Sequence, residues 1–223
     1  MNGQRLLILN GSPRRQGTSY SFARTIKKLA EDAGNQAEIR HVIDYFDGQK
    51  SLNDLKYHIA ESDIIALVAP LYADTLPYPD IWCLEKLAAE YSSELSGKMF
   101  FAVGQCGFPD ITRLEPMIDA CRFFAEETGM IWRGGLAYGG GAIINGALLE
   151  NLGKKGKKIT SAFKLALGDV IQGKMISARA QDLLTVRIPR ILYRPLAAYL
   201  NHKIKKDALK HGITDVSRKV YLE

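Results

Sequence analysis

Apolar positions along this chain alternate between short continuous runs and longer stretches in which they recur every three to four residues. Leu6-Leu7-Ile8-Leu9 is a run of the length expected for a strand buried on both faces. In the following stretch, Phe22, Ile26, Leu29 and Ala30 keep helical spacing. Gln36 to Ile43 alternates as a half-exposed strand would, a polar stretch runs to Gly48, and a short helix is expected around Asn53 to Glu61. Ile64 to Ala69 reads as a third strand, Asp80 to Leu95 as a helix and Met99 to Val103 as a fourth strand. A helix from Arg113 to Thr128 and a fifth strand from Met130 to Ala137 complete the order. Strands alternating with helices predict an α/β fold with a parallel sheet covered on both faces. Five strands suit the doubly wound order 2-1-3-4-5, with a ligand crevice at the carboxyl ends of strands one and three.

That expectation directs attention to the loops. The first, Asn10-Gly11-Ser12-Pro13-Arg14-Arg15-Gln16-Gly17 with Thr18 and Ser19, joins a buried strand to a helix. Glycines permit close backbone approach, and the helix start offers free N–H groups and a positive dipole to an anion. Ser12, Thr18 and Ser19 can add hydroxyl bonds, and Arg14 or Arg15 charge. Five residues separate Gly11 from Gly17, and Thr18 stands where a nucleoside-triphosphate loop needs lysine. Pro13 breaks the G-x-G-x-x-G pattern of a dinucleotide loop. A single terminal phosphate such as that of FMN suits what is left. The loops after strands three (Pro70 to Pro77), four (Gly104 to Phe108) and five (Tyr138 to Gly146) are rich in proline, aromatic residues or glycine, so all four predicted loops at one sheet end are chemically unusual.

Leu7-Ile8-Leu9-Asn10-Gly11-Ser12-Pro13-Arg14 with Gly17-Thr18-Ser19, followed by Ala69-Pro70-Leu71-Tyr72, resembles the NAD(P)H-dependent FMN reductase family of the flavodoxin-like superfamily, over roughly residues 4–145. The resemblance implies non-covalent FMN as cofactor, NAD(P)H as cosubstrate and homodimers or tetramers with the flavin near the subunit interface. It assigns phosphate to Ser12, Arg14, Gly17, Thr18 and Ser19, and the ring to Pro70, Leu71, Tyr72 and Ala73. Gly104, Gln105 and Gly107 would approach the ring's polar edge. The chain departs from the family at Ala73-Asp74, which puts a carboxylate beside the expected ring, and at Pro79-Asp80-Ile81-Trp82, where a lysine is common.

The expected activity is an FMN oxidoreductase passing hydride from NAD(P)H to an electron acceptor such as a quinone. The alternative is an electron carrier or redox-responsive FMN protein with little NAD(P)H turnover. No Ser-His-Asp or Cys-His pattern supplies a catalytic residue, because flavin carries such chemistry itself. Cys83, Cys106 and Cys121 lack C-x-x-C spacing and His41, His58, His202 and His211 lack ligand spacing, so no metal is expected. Glycine-flanked Cys106 reads as a small apolar filler, with a redox-active thiol near the flavin as the alternative.

The 223 residues carry a net +6, unevenly. From Asn151 onward there are 16 Lys plus Arg against 5 Asp plus Glu, a net +11, whereas the first 150 residues carry −5. The domain reading is therefore 1–150 for the FMN-binding domain and 151–223 for a basic helical extension. In the extension a helix runs from Lys154 to Ile171, Ile188 to Pro195 interrupts, and a second helix reaches about Lys210 with Leu196, Leu200, Ile204 and Ala208 four apart. Three readings stand for it: packing on its own domain or a dimer partner, peripheral contact with an anionic membrane, or, with no recognisable module to support it, nucleic-acid binding. Without a secretory layout or a membrane-length apolar run, a cytoplasmic location is expected.

Overall fold

The computed structural model describes residues 3–186 and 190–215. Five strands, β1 (Arg5–Asn10), β2 (Gln36–His41), β3 (Ile64–Pro70), β4 (Met99–Cys106) and β5 (Ile131–Gly139), form one parallel sheet in the order β2-β1-β3-β4-β5. This is the flavodoxin-like order expected from the alternation. Strand residues divide cleanly between the two faces. Leu6, Ile8, Ile64, Ala66 and Val68 enter one core, and Leu7, Leu9, Ile65, Leu67 and Ala69 enter the other, all buried. Burial on both faces explains why β1 and β3 read as unbroken apolar runs rather than alternating ones.

One core is closed by α1 (Thr18–Asp32), α6 (Gly153–Ile171) and α7 (Ala178–Leu184), and the other by α2 (Val42–Phe46), α3 (Leu52–Glu61), α4 (Tyr78–Leu95) and α5 (Glu115–Glu127). α6 contributes Ile159, Ala162, Phe163, Ala166, Leu167 and Val170, each almost fully buried; such side chains stabilise by roughly 1.5–3 kcal/mol apiece for the larger ones. Phe22 meets Phe163 and Tyr138 edge to face, with centroids 5.0 and 5.3 Å away. The basic start of the C-terminal segment is thus the solvated side of a helix that one sheet face needs for cover. Contacts group Met1–Val186 as one compact unit and Arg187–Glu223 as a second, so the division falls well after the expected residue 150.

Three element boundaries differ from the sequence pattern. Val42 and Ile43 belong to α2, not to the second strand: Val42 and Tyr45 point into the core three residues apart, a helical spacing too brief to show as periodicity. β4 runs to Cys106 and β5 to Gly139, so Gly104, Gln105 and Tyr138 are strand residues rather than loop residues. The edge of β5 is covered by Gln181, whose amide accepts from Ala137 N–H at 2.8 Å and donates to Ala137 O at 2.9 Å.

The second unit contains α8 (Tyr193–Lys210), preceded by a short turn at Arg190–Leu192. Of the expected interruption, Ile188 and Pro189 lie outside the described residues, as does the side chain of Leu196.

Candidate functional site

The parallel sheet delivers its strand carboxyl ends to one rim. There the loop between β1 and α1 is held from several sides. Gly11 N–H donates to Val68 O at 3.0 Å, tying the loop to β3. Asn10, fully buried, uses its side-chain nitrogen to donate to His41 Nδ1 at 2.9 Å while its oxygen accepts from Ser12 N–H at 3.5 Å. Burial lowers the His41 pKa against the opposing pull of Asp44, which suits a neutral ring whose Nδ1 accepts.

The hydroxyls of the loop have distinct partners. Ser12 Oγ accepts from Arg14 N–H at 3.2 Å, and Ser19 Oγ accepts from Gln105 Nε2 at 3.3 Å, so both retain a proton to donate to an anion. Thr18 Oγ1 instead donates to Gly141 O at 2.7 Å, tethering the helix start to the loop after β5. Inside α1 the first backbone bond of the turn runs from Ser21 N–H to Gly17 O at 3.1 Å, so the N–H groups of Thr18, Ser19 and Tyr20 have no intrahelical acceptor. The first turn contains no acidic side chain. Arg15 pairs with Asp44 and donates to Gln49 at 3.1 Å, whereas Arg14 is exposed and only loosely engaged by Asn145 at 3.5 Å. Of the two arginines, Arg14 is therefore the one available to a ligand. Buried donors, an uncompensated helix start and one loosely held arginine fit a phosphate.

The remaining loops converge on the same rim. β3 pairs Pro70 with Gln105, and Leu71 N–H donates to Gln105 O at 2.8 Å, placing the second and third loops side by side. Tyr72 to Thr75 is a two-residue reverse turn closed by bonds of 2.9 and 3.1 Å, with Ala73 and Asp74 at φ +48° and +62°. Tyr72 is exposed and gives the apolar wall expected for a planar ring. Asp74 does not stand alone beside that wall: Arg113 Nη1 lies 3.4 Å from its carboxylate, and the same guanidinium sits 5.7 Å over the ring of exposed Phe108. Gly107 approaches Ala142, and Gly140 N–H donates to Phe108 O at 2.8 Å. Two expected residues point elsewhere. Gly104 lies in β4 against Leu114 and Met117, where it makes room for α5, and the Gln105 side chain turns toward Ser19. Two clefts, of about 390 Å³ between β1, β2 and α3 and about 590 Å³ between α1 and α6, touch none of these four loops.

Cys106 is buried and its Sγ–H donates to Phe108 O at 3.3 Å; burial raises its pKa, so it is a protonated filler at neutral pH. A thiol reagent at pH 7 is expected to modify native Cys106 far more slowly than the unfolded chain; fast native labelling would reverse this assignment. Residues that pattern reading missed come from α2 and the helix starts. Phe46 meets Tyr78 and Trp82 edge to face at 5.5 and 5.4 Å, and Asp44 and Arg113 neutralise charges at the rim. No local motif marks these residues, since α2 straddles the end of the expected second strand and the polar stretch after it.

Residues 4–108 match the model of the NADPH-dependent FMN reductase family. Over that stretch, just under half of its length, the chain is similar to that family. The coarse class is accordingly an FMN-dependent oxidoreductase. No curated protein sequence matches the chain. Among solved structures, the Trp repressor binding protein from Bacillus subtilis superposes with a TM-score of 0.56 at 16% identity, covering 71% of this chain and 96% of its own. The general stress protein 14 from Treponema denticola, a complex with FMN, gives 0.52 at 14% identity over 74% of this chain and 99% of its own. A flavone reductase gives 0.55 at 10% identity, covering 77% of this chain and 65% of its own. At these identities the likenesses establish the fold alone.

Proposed function

We propose that the protein binds FMN at this rim and transfers reducing equivalents from NAD(P)H to an electron acceptor such as a quinone. When bound, FMN supplies the hydride acceptance and electron donation that no side chain here supplies. The observation that carries the reading is the β1–α1 loop, where Ser12 and Ser19 are buried with donor protons to spare above an α1 start free of acidic side chains. These groups and Arg14 hold the phosphate. Tyr72 covers one side of the ring, and Pro70 and Leu71 offer it backbone beside β4. Arg113 holds Asp74 as an ion pair, which reduces the repulsion an isolated carboxylate would exert on a reduced, anionic ring. The three described cysteines are free and serve the packing rather than the chemistry.

The test begins with the absorbance spectrum of protein purified without added cofactor, then FMN uptake by the apoprotein and NADH or NADPH oxidation with a soluble quinone. Flavin bands, FMN released by heat and steady nicotinamide oxidation support the proposal. Ser12→Ala with Ser19→Ala removes two charge-assisted bonds and is expected to weaken FMN binding by roughly tenfold or more. Flavin bands without nicotinamide oxidation would favour the electron-carrier reading. A colourless protein that takes up no FMN would defeat both.

A further inference from the structure

The second unit has an unusual surface. Half of the large hydrophobic side chains exposed in the described residues fall between 190 and 215, namely Ile191, Leu192, Tyr193, Tyr199, Leu200, Ile204, Leu209 and Ile213. Among the described side chains of α8 none is buried, and only Ala208 is partly covered. On the helix, Tyr193, Ala197, Leu200, Ile204 and Ala208 follow one another at steps of three or four residues and make a single apolar stripe. Arg194 and Lys205 flank it on one side and Lys203 and Lys210 on the other, Lys206 lies on the opposite face, and Asp207 is the one acidic residue of the helix.

We infer that α8 docks on the surface of an anionic lipid bilayer, lying in the plane of the headgroups. Charge complementarity selects this occupant. Residues 187–223 hold 9 Lys plus Arg against 3 Asp plus Glu, a net +6, while residues 1–186 hold 21 of each sign. A second copy of the neutral first unit therefore offers the stripe no net opposite charge. A nucleic acid offers charge but no apolar phase for Leu200 and Ile204. An anionic bilayer supplies both at once: acyl chains for the stripe, headgroups for the flanking cations and an interface for Tyr193. Among the described residues no helix is long and apolar enough to cross a membrane, so the contact is peripheral. If the proposed function is right, bilayer contact also names its substrate class, a lipid-dissolved acceptor such as a long-chain quinone. That extension rests on the flavin reading; the membrane contact does not.

The experiment is sedimentation of the full-length protein with vesicles of phosphatidylcholine alone and of phosphatidylcholine with phosphatidylglycerol, at low and high salt. Binding to the anionic vesicles only, weakened by salt, is expected. Each lysine near such a surface strengthens partitioning roughly fivefold, so the triple variant Lys203→Glu, Lys206→Glu, Lys210→Glu should lose more than about a hundredfold. Leu200→Ser with Ile204→Ser should lose binding while keeping all the charges. Neither variant alters a residue named at the flavin rim, and both should retain the wild-type flavin spectrum and oxidation of nicotinamide with a soluble acceptor. Equal binding to both vesicle types, no binding, or a dimer that light scattering shows dissociating in the serine variant would each overturn the inference. A colourless protein that still binds anionic vesicles would sink the flavin reading and leave this one standing.

Discussion

Asp80→Asn is expected to leave stability nearly unchanged at about pH 4 and to raise it increasingly above the wild type as pH rises. Asp80 lies in the first turn of α4, is fully buried, and neither carboxylate oxygen has a hydrogen-bond partner. Burial holds its pKa well above the usual carboxylate range. The helix start would favour the ionised form, but with no donor reaching the oxygens desolvation prevails. The neighbouring Cys83 thiol is pushed up to about 12 by burial and by Asp80, and Cys121 is raised by the same two causes. Because the folded pKa is raised, the native state binds more protons than the unfolded chain between the two values. Its stability is fully present below the unfolded pKa of about 3.9 and falls by about 1.4 kcal/mol per pH unit until the folded pKa is reached. Asparagine cannot ionise, so its melting temperature should lack that slope. Parallel pH profiles for the two proteins in calorimetry would refute the assignment. The same proton bears on the cofactor. A methyl group at Gly11 would come within 2.2 Å of Asp80 Oδ2, so the carboxyl packs directly beneath the β1–α1 loop. Ionisation there adds a negative charge under the loop proposed to hold the phosphate, and FMN affinity of the wild type should decline relative to the asparagine variant as pH rises.

Gly146→Ala is expected to cost FMN affinity tenfold or more and to lower the melting temperature. Gly146 has φ +84°, where an alanine pays about 1–2 kcal/mol. More decisive is contact: its Cβ would lie 2.3 Å from the Gln16 carbonyl oxygen and 3.9 Å from Gly17 Cα. Those are backbone atoms of the β1–α1 loop, so relief requires moving the loop itself. Gly140→Ala is the matched control, since its φ is +80° yet nothing lies within 4 Å of the new methyl. Both variants share the conformational penalty, so the difference between them in FMN titration isolates the push on residues 16 and 17. Equal affinities in the two variants would show that the loop after β5 does not brace the phosphate site.

These two residues mark where reading the chain stops. Asp80 is a polar letter at a helix start in the sequence, indistinguishable from a solvated first-turn acid. Only the crossing of α4 beneath the β1 loop buries it. Gly146 reads as one more glycine in a flexible connector until the chain folds it against Gln16. The β1–α1 cradle was legible because Gly11, Ser12, Gly17, Thr18 and Ser19 are consecutive or nearly so, and the strand and helix that orient them are local too. By contrast, the division of labour among their hydroxyls was not. Thr18 bonds to Gly141 and Ser19 to Gln105, partners 123 and 86 residues away.

By itself the sequence determined the alternation of buried strands and amphipathic helices, which follows from periodicity over a few residues, and through that alternation the parallel doubly wound sheet. The basic C-terminal segment also looked like one appendage in the sequence, since charge is counted along the chain. Tertiary structure split it. α6 is basic on its solvent side yet closes the core over β1 and β3, while within its own unit nothing covers the apolar stripe of α8 among the described residues. Which apolar face finds a partner depends on surfaces brought together across the whole fold, and no local pattern encodes that.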